Sequence, residues 1–244
     1  MKIMKAGRLA CYWISVWMII GTLNPRTCAA VESSLSVQYR VSESQRVLEE
    51  FVGYLHRVSL DEIASASKVL ILIPNAIEES YVFKGQHGEG VMLYRSDNGS
   101  WNGPAFISLF GKSSDWNSAD TTADLVMVLP SAAGMDPLLQ HRFILGSDIR
   151  SVAGYPAKSD VFSSDPPIRT FLRQDDIFIG VDLNGSVIQE DLEANKAYYT
   201  QALTSHDILT GKHLSPGPDS GGFGGIITRM NGFPEFEQTM QRVE

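Results

Sequence analysis

The residues that most resemble a reaction centre are two short serine-containing patterns. Ser65 and Lys68 match S-x-x-K, and Ser96-Asp97-Asn98 matches S-D-N, two motifs that β-lactamases and penicillin-binding proteins use around a nucleophilic serine. The third motif of such a site, K-T-G, does not occur in this sequence. Because Ser, Asp, Asn and Gly are also the usual residues of tight turns, we interpret both matches as coincidence and predict a protein that is not an enzyme. A hydrolase that uses Ser65 and Lys68 is the alternative.

Histidine and acidic residues form no recognisable metal or acid–base motif. The five histidines show none of the close spacings that are typical of metal ligands: His56, His87, His141, His206 and His213. Asp175-Asp176 and Glu190-Asp191 adjoin the ends of predicted strands and helices, where acidic residues commonly serve as caps. We therefore predict no metal and no cofactor.

The first thirty residues have the layout of a secretory signal peptide. Three basic residues within the first eight positions precede an uncharged stretch from Leu9 to Leu23. As a helix this stretch would span about 22 Å, which is less than the roughly 30 Å hydrocarbon core of a bilayer. We predict that residues 1–30 are a signal peptide cleaved after Ala30 and that the protein is periplasmic or secreted. Lipid attachment at Cys28 is the alternative.

The chain that remains after this segment is acidic and contains no cysteine. Cys11, Cys28 and four of the 20 lysines and arginines lie within the first thirty residues. Residues 31–244 therefore carry 16 basic and 28 acidic side chains, a net charge of −12. Such a surface repels nucleic acid and anionic membranes at long range, so we predict no nucleic-acid partner. The lack of cysteine excludes a disulfide, a thiol nucleophile and a cysteine-ligated metal.

Hydrophobic periodicity divides the rest of the chain into a helix, a β-rich region and a tail. From Ser34 to Val58 apolar residues recur at helical spacing, which predicts an amphipathic helix that packs on the core. After Lys68, short β-type runs separated by Gly, Asn, Asp and Pro predict a series of strands. We predict a helical lead-in over residues 31–58, one domain over residues 59–211, and a flexible Gly- and Pro-rich tail over residues 212–244.

Specific residues mark two turns and two short helices. Asp97-Asn98-Gly99 and Asn184-Gly185 predict tight hairpins, because Asn and Gly accept a positive φ. Asp191 predicts the start of a helix from Leu192 to Thr200, and a further helix runs from His206 to Thr210. Together these elements predict an α+β fold. In this fold an antiparallel, strongly curved or barrel-like sheet is flanked by the N-terminal amphipathic helix and the short helices.

Several motifs in a fixed order resemble the SYLF domain. They run from SKVLILIP through GQHGEGVMLYRSDNGSWNGPAFISLFG and TADLVMVL to HRFILGSDIRSVAG and DDIFIGVDLNGSVIQEDLEANKAYY, and end near HDILTG. The resemblance covers roughly residues 60 to 211 and depends most on G-E-G-V, W-x-G-P-A-F and L-x-G-x-V-I. It implies a lipid-binding module, also described as actin-binding in some eukaryotic members, and therefore binding rather than catalysis.

Basic and aromatic residues near the predicted turns are the candidates for ligand contact. Tyr and Trp suit a membrane interface because one end of the side chain is apolar and the other is polar. We predict that lipid or a partner is bound by Lys68, Tyr81, Lys84, Trp101 and Trp116. For Trp101, a place in the core is the alternative.

The leading functional hypothesis is an exported bacterial protein, without enzymatic activity, that binds phospholipid or a membrane surface in the periplasm. The alternative is an envelope protein–protein interaction module without lipid binding, which the acidic surface fits at least as well. Actin is not expected as a partner, because export would separate the two proteins. In addition, the lysine-rich lead-in of the actin-binding members is reduced here to Lys68.

Overall fold

A computed structural model describes residues 25–58, 63, 67–79, 85–112, 122–130, 139–155 and 167–211. The helices described are α1 (Pro25–Arg57), α2 (Leu192–Tyr199) and α3 (Ser205–Leu209). The strands described are β1 (Val69–Glu79), β2 (Gly85–Arg95), β3 (Trp101–Lys112), β4 (Thr122–Leu129), β5 (Arg142–Ile144), β6 (Ser151–Ala153), β7 (Ile168–Gln174), β8 (Ile177–Gly180) and β9 (Val187–Glu190). The predicted tail, residues 212–244, lies outside the described residues, and the predicted domain boundaries stay predictions.

Helix α1 buries one face against the sheet, and the residues of this face recur at helical spacing. They are Val37, Val41, Ser44, Leu48, Phe51 and Leu55. The ring centroid of Phe51 lies 5.0 Å from that of Phe178 in β8. These contacts confirm the predicted amphipathic helix and its packing on the core. The helix begins earlier than predicted, at Pro25, so the predicted cleavage position at Ala30 lies within it.

The strands form one sheet in the order β5-β9-β3-β2-β1-β4-β7-β6, with β8 paired to β7. The ladders are antiparallel except for the parallel pair β6 and β7. Every residue from Val69 to Ile73 in β1 is fully buried, so both faces of this central strand are covered. The α+β prediction is confirmed.

Of the two predicted forms of the sheet, the barrel-like form is wrong, and the strongly curved form stays a prediction. Across the described residues no ladder joins the two terminal strands, β5 and β6. Each of these strands has only three residues. The chain between them forms a single isolated bridge, Leu145 to Ile149. Within the described residues the sheet is therefore open between β5 and β6.

The two predicted turns have different outcomes. Asp97-Asn98-Gly99 joins β2 to β3 as predicted, with Gly99 at φ 84° and its N–H donating to the Ser96 carbonyl over 2.9 Å. Asn184-Gly185 is also a turn, with Gly185 at φ 88°, but the predicted hairpin across it is wrong. Strand β8 pairs with β7, and β9 pairs with β3 and β5. The turn residues set a local reversal of the chain, whereas burial of the flanking strands sets their partners.

The predicted cap at Asp191 is found, and a second cap that was not predicted begins the other short helix. Asp191 precedes α2, and its Oδ1 accepts a hydrogen bond from the Ala194 N–H over 3.0 Å, which satisfies a free amide of the first turn. Thr204 and Asp207 form a capping box at the start of α3. Both helices lie against β3, the neighbour of β9 in the sheet.

Candidate functional site

The G-E-G-V motif lies in β2, where β1 passes unusually close to the backbone. A Cβ added at Gly88 would lie 2.5 Å from Ile73 Cγ2, and one added at Gly90 would lie 2.0 Å from the Leu72 carbonyl oxygen. Strand β1 changes register between Leu72 and Ile77 at this point. The two glycines are therefore required for the close packing of β1 on β2. Glu89, between them, is the residue of this segment whose side chain can contact other elements.

Arg40 on the buried face of α1 is the partner of Glu89. Its Nη2 contacts the Glu89 carboxylate, and its Nη1 donates to Asp191 Oδ2 over 2.9 Å. The guanidinium carbon lies 5.5 Å from the centroid of the Phe106 ring in β3. Arg40 thereby joins α1 to β2, to β3 and to the start of α2. Because two carboxylates surround one guanidinium, this cluster carries a net charge of −1.

A cavity of about 260 Å³ opens beside this cluster, between α1 and the strands β1 and β2. We call it the α1 cleft, and it is lined by Ser36, Tyr39, Arg40, Pro74, Asn75, His87, Gly88 and Glu89. Tyr39 is 63% exposed at its rim. The His87 ring lies 5.2 Å from the ring of Phe110 in β3, which is 43% exposed. The exposed rings of Tyr39 and Phe110 therefore lie beside the polar residues that line the cleft.

A second charged network holds the β1 side of the cleft in place. The Asn75 N–H donates to Asp124 Oδ1 over 3.0 Å, and Arg46 Nη1 donates to Asp124 Oδ2 over 3.1 Å. Arg173 of β7 also reaches Asp124, at 3.4 Å. Partial burial alone lowers the pKa of Arg46, but its hydrogen bonds to Asp124 and Glu43 outweigh this effect and raise that pKa above its usual value. The network fixes the backbone of Asn75.

The structure describes two of the five predicted site residues, Lys68 and Trp101, and both lie at the same end of the strands. Lys68 precedes β1, and its Nζ lies 3.7 Å from Asp97 Oδ1 in the turn between β2 and β3. Trp101 begins β3 and packs partly buried against the core. Tyr81, Lys84 and Trp116 lie outside the described residues, in the connections from β1 to β2 and from β3 to β4. Those connections join the strands at the end opposite to Lys68 and Trp101. The binding role of all five residues stays a prediction.

Sequence reasoning missed the residues that form the α1 cleft. Tyr39, Arg40, His87 and Glu89 line this cleft, and none of them was among the predicted binding residues. One signal was present in the sequence. Arg40 lies at helical spacing within the apolar stripe of α1, and Glu89 is a charged residue within a strand, so each required a partner in the fold.

The residues singled out for catalysis do not gather around a nucleophile where the structure describes them. Ser96 and Asn98 lie in the hairpin turn, where the Ser96 hydroxyl donates to the Ser100 carbonyl over 2.7 Å. Ser65 lies outside the described residues. Over the described ranges, no group of three or more His, Cys, Asp or Glu side chains is placed to hold a metal ion. No helix within those same ranges is both long enough and apolar enough to cross a membrane.

A separate histidine–carboxylate pair lies where β9 meets α3. The Nδ1 atom of exposed His141 contacts the carboxylate of Glu190, whose side chain is buried. Glu190 Oε1 also accepts a hydrogen bond from the Ser205 N–H over 2.6 Å. The hydrogen bond to Glu190 and the charge of this residue raise the pKa of His141 above its usual value. The pair links the sheet to the first turn of α3.

Comparison with known proteins identifies the family. A family model described as Ysc84, Las17-binding protein actin regulator, matches residues 120–221. Human SH3 domain-containing YSC84-like protein 1 is 22% identical over 190 residues, which are 74% of this chain and 56% of that protein. These matches support the assignment of the chain as a SYLF domain family member. Another relative, Protein YSC84 of Saccharomyces cerevisiae, is 24% identical to this SYLF protein over 193 residues, 74% of the chain and 41% of the relative. The resemblance inferred from the motifs is thus confirmed.

The relatives correct one prediction about partners. A relative from Schizosaccharomyces pombe, 22% identical over 192 residues, is named SH3 domain-containing protein PJ696.02, and one from S. cerevisiae is named LAS seventeen-binding protein 3. These names, with the description of the family model as an actin regulator, point to actin-regulatory partners in this family. The exclusion of actin as a partner is therefore wrong. The SYLF chain spans about half the length of the curated relatives it matches, 45% and 56% of the first two.

Proposed function

We propose that this SYLF protein is a binding module without enzymatic activity, and that it associates with a phospholipid surface through the rim of the α1 cleft. The observation that carries the proposal is the set of exposed aromatic rings at this rim. Tyr39 and Phe110 face water beside a cleft whose polar floor is fixed by buried charges. Aromatic side chains with an apolar body and a polar neighbourhood suit the interface between lipid and water.

The strand topology places two of the aromatic residues, Phe110 and His87, at the same end of the sheet. Phe110 lies two residues before the end of β3, and His87 lies two residues after the start of β2. The connections that contain Tyr81, Lys84 and Trp116 leave the strands at this end.

Vesicle flotation tests the proposal. We expect the full chain to float with phosphatidylcholine vesicles, and we expect the double substitution Tyr39→Ser with Phe110→Ser to reduce the floated fraction at least about fivefold, because two aromatic anchors are lost. Ile177→Ser is the matched control, since Ile177 is an exposed apolar residue on β8. Failure of the wild-type chain to float with either zwitterionic or anionic vesicles would contradict the proposal.

We propose in addition that the chain is exported through a cleaved signal peptide. The support is the sequence layout of residues 1–30. Mass spectrometry of the N-terminus of the protein purified from a bacterial host should give a chain that begins at Val31. An intact Met1 would contradict export by this route, and a lipid-modified Cys28 would replace it by membrane anchoring.

A second candidate function is binding to actin, as part of actin regulation. The observation that favours it is the naming of the relatives, among them LAS seventeen-binding protein 3, over 74% of this chain. Co-sedimentation of the full chain with filamentous actin, in the absence of lipid, tests this candidate. A pellet that contains the wild-type chain and lacks the Tyr39→Ser, Phe110→Ser variant would assign the same rim to a protein partner.

A further inference from the structure

The accessible charge in the α1 cleft is negative. Arg40 is the one lining residue with a permanent positive charge among those the structure describes there, and both of its Nη atoms are already paired. Glu89 borders the cleft with 47% of its side chain exposed, so its carboxylate still faces solvent. An anionic ligand would meet this carboxylate and a cluster with a net charge of −1. A cationic group would meet a charge of opposite sign.

Aromatic rings lie around the same carboxylate. Tyr39 and His87 line the cleft, and the Phe110 ring is 5.2 Å from the ring of His87. Rings within about 6 Å of an ammonium group attract it through their negative faces, which is how many proteins recognise choline-like cations. A cavity of about 260 Å³ is smaller than most sites for whole drug-sized ligands. Its size suits a headgroup rather than an entire lipid.

We propose that the α1 cleft recognises the ammonium group of a zwitterionic phospholipid headgroup, either phosphocholine or phosphoethanolamine. This inference rests on the proposed function and names the ligand class of the same site. The Glu89 carboxylate supplies the charge complement, and Tyr39 and His87 supply ring faces. The acidic chain as a whole, with a net charge of −12 over residues 31–244, also disfavours anionic membranes at long range.

Vesicles of defined headgroup test this inference. The full chain is floated at physiological salt with vesicles of phosphatidylcholine, of phosphatidylcholine mixed with phosphatidylethanolamine, and of phosphatidylglycerol. We expect the two zwitterionic compositions to bind about tenfold more strongly than phosphatidylglycerol, because only they supply an ammonium group. Binding of soluble phosphocholine, followed by NMR, tests the pocket without a membrane.

Three variants assign the effect to the cleft. Glu89→Gln removes the carboxylate charge, and Asp97→Asn is its control at the other end of the strands, with the same change in net charge. Tyr39→Ser removes an exposed ring and leaves the ion pairs of Arg40 intact, so it remains informative if Glu89→Gln unfolds the protein. We expect Glu89→Gln and Tyr39→Ser each to weaken binding to phosphatidylcholine about fivefold or more, with binding to phosphatidylglycerol unchanged. Asp97→Asn should have no effect.

The outcomes separate this inference from the proposed function. Equal or stronger binding to phosphatidylglycerol, unaffected by Tyr39→Ser, would overturn ammonium recognition and leave lipid binding in place. Binding of soluble phosphocholine without flotation would support the ammonium site and overturn the membrane role. Absence of both would overturn both. The chain could instead bind actin, lose that binding with Glu89→Gln, and show no discrimination among vesicles. This result would indicate that the cleft binds a lysine of a protein partner, and it would overturn the inference.

Discussion

The two ends of the central strands place similar residue types in opposite environments. At the hairpin end, Lys68 and Asp97 form an exposed pair, and the Trp101 ring packs partly buried against the core. At the α1 cleft, buried Arg40 pairs with the half-exposed Glu89, and the Tyr39 ring is exposed. The buried guanidinium holds its surroundings in one geometry, whereas an exposed ring is available for contact. The comparison therefore favours the cleft as the binding end.

We expect glycine substitutions to give the largest difference in the free energy of unfolding between the two ends of the strands. Gly90→Ala at the cleft would place a Cβ 2.0 Å from the Leu72 carbonyl oxygen, so we expect a loss of about 3 kcal/mol or more in the free energy of unfolding. Gly99→Ala in the hairpin turn meets open space, and its positive φ alone should cost about 1 kcal/mol. Urea denaturation of both variants measures the difference. Equal losses would show that β1 does not pass as close to β2 as described.

We expect the second-largest difference in stability from substitutions in the charged pairs of the two ends. Arg40→Met leaves Glu89 and Asp191 without their cation, and we expect a loss of about 2 kcal/mol, below the cost for a fully buried pair because both acids keep some solvent contact. Lys68→Met removes a pair whose acidic partner is 93% exposed, and stability should change by less than about 0.5 kcal/mol. Thermal or urea unfolding gives both values. A loss for Lys68→Met as large as that for Arg40→Met would contradict the assigned burial.

Substitutions of the aromatic residues should affect stability at one end of the strands and binding at the other. Trp101→Ala is expected to lower stability by about 2 kcal/mol, because a partly buried ring is lost, with little change in the flotation of the folded fraction. Tyr39→Ser should change stability by less than about 0.5 kcal/mol and reduce flotation. If Trp101→Ala instead abolishes flotation at full stability, the binding surface includes the hairpin end, as the sequence-based prediction for Trp101 has it.

The smallest effect concerns a pair outside both ends. Because contact with Glu190 raises the pKa of His141, protonated His141 stabilises the folded state. That contribution is complete below the unfolded pKa of about 6.5 and is lost as the pH rises through the higher folded pKa. We therefore expect the stability difference between wild type and His141→Gln to shrink from pH 6 to pH 9. A difference that grows with pH would contradict the pairing.

Local sequence signals predicted the local structure. The apolar stripe of α1, the turn at Asp97 to Gly99 and the cap at Asp191 were each predicted from residues close together in the chain. The strand partners across Asn184-Gly185 were not, because pairing depends on burial elsewhere in the sheet. The barrel-like form of the sheet was wrong, because no ladder joins the terminal strands β5 and β6 in the part of the chain that the structure describes.

The candidate site could not be predicted from local sequence patterns either, because its residues are far apart in the chain. Arg40 meets Glu89 across 49 positions and Asp191 across 151 positions of the sequence. Each of these residues has an ordinary local role, as part of a helix, a strand or a cap, and only the fold brings them together. The SYLF resemblance located the G-E-G-V motif, but the reason for its glycines, the close passage of β1, required the structure.

The most direct test of the central claim is NMR of the full chain with phosphatidylcholine vesicles that carry a spin label at the headgroup. Spin labels broaden the resonances of nearby residues, so the experiment reports which end of the strands meets the membrane. The account predicts broadening at Tyr39, His87 and Phe110 and none at Lys68 or Trp101. Broadening confined to Lys68 and Trp101, or absent from the whole protein, would contradict it.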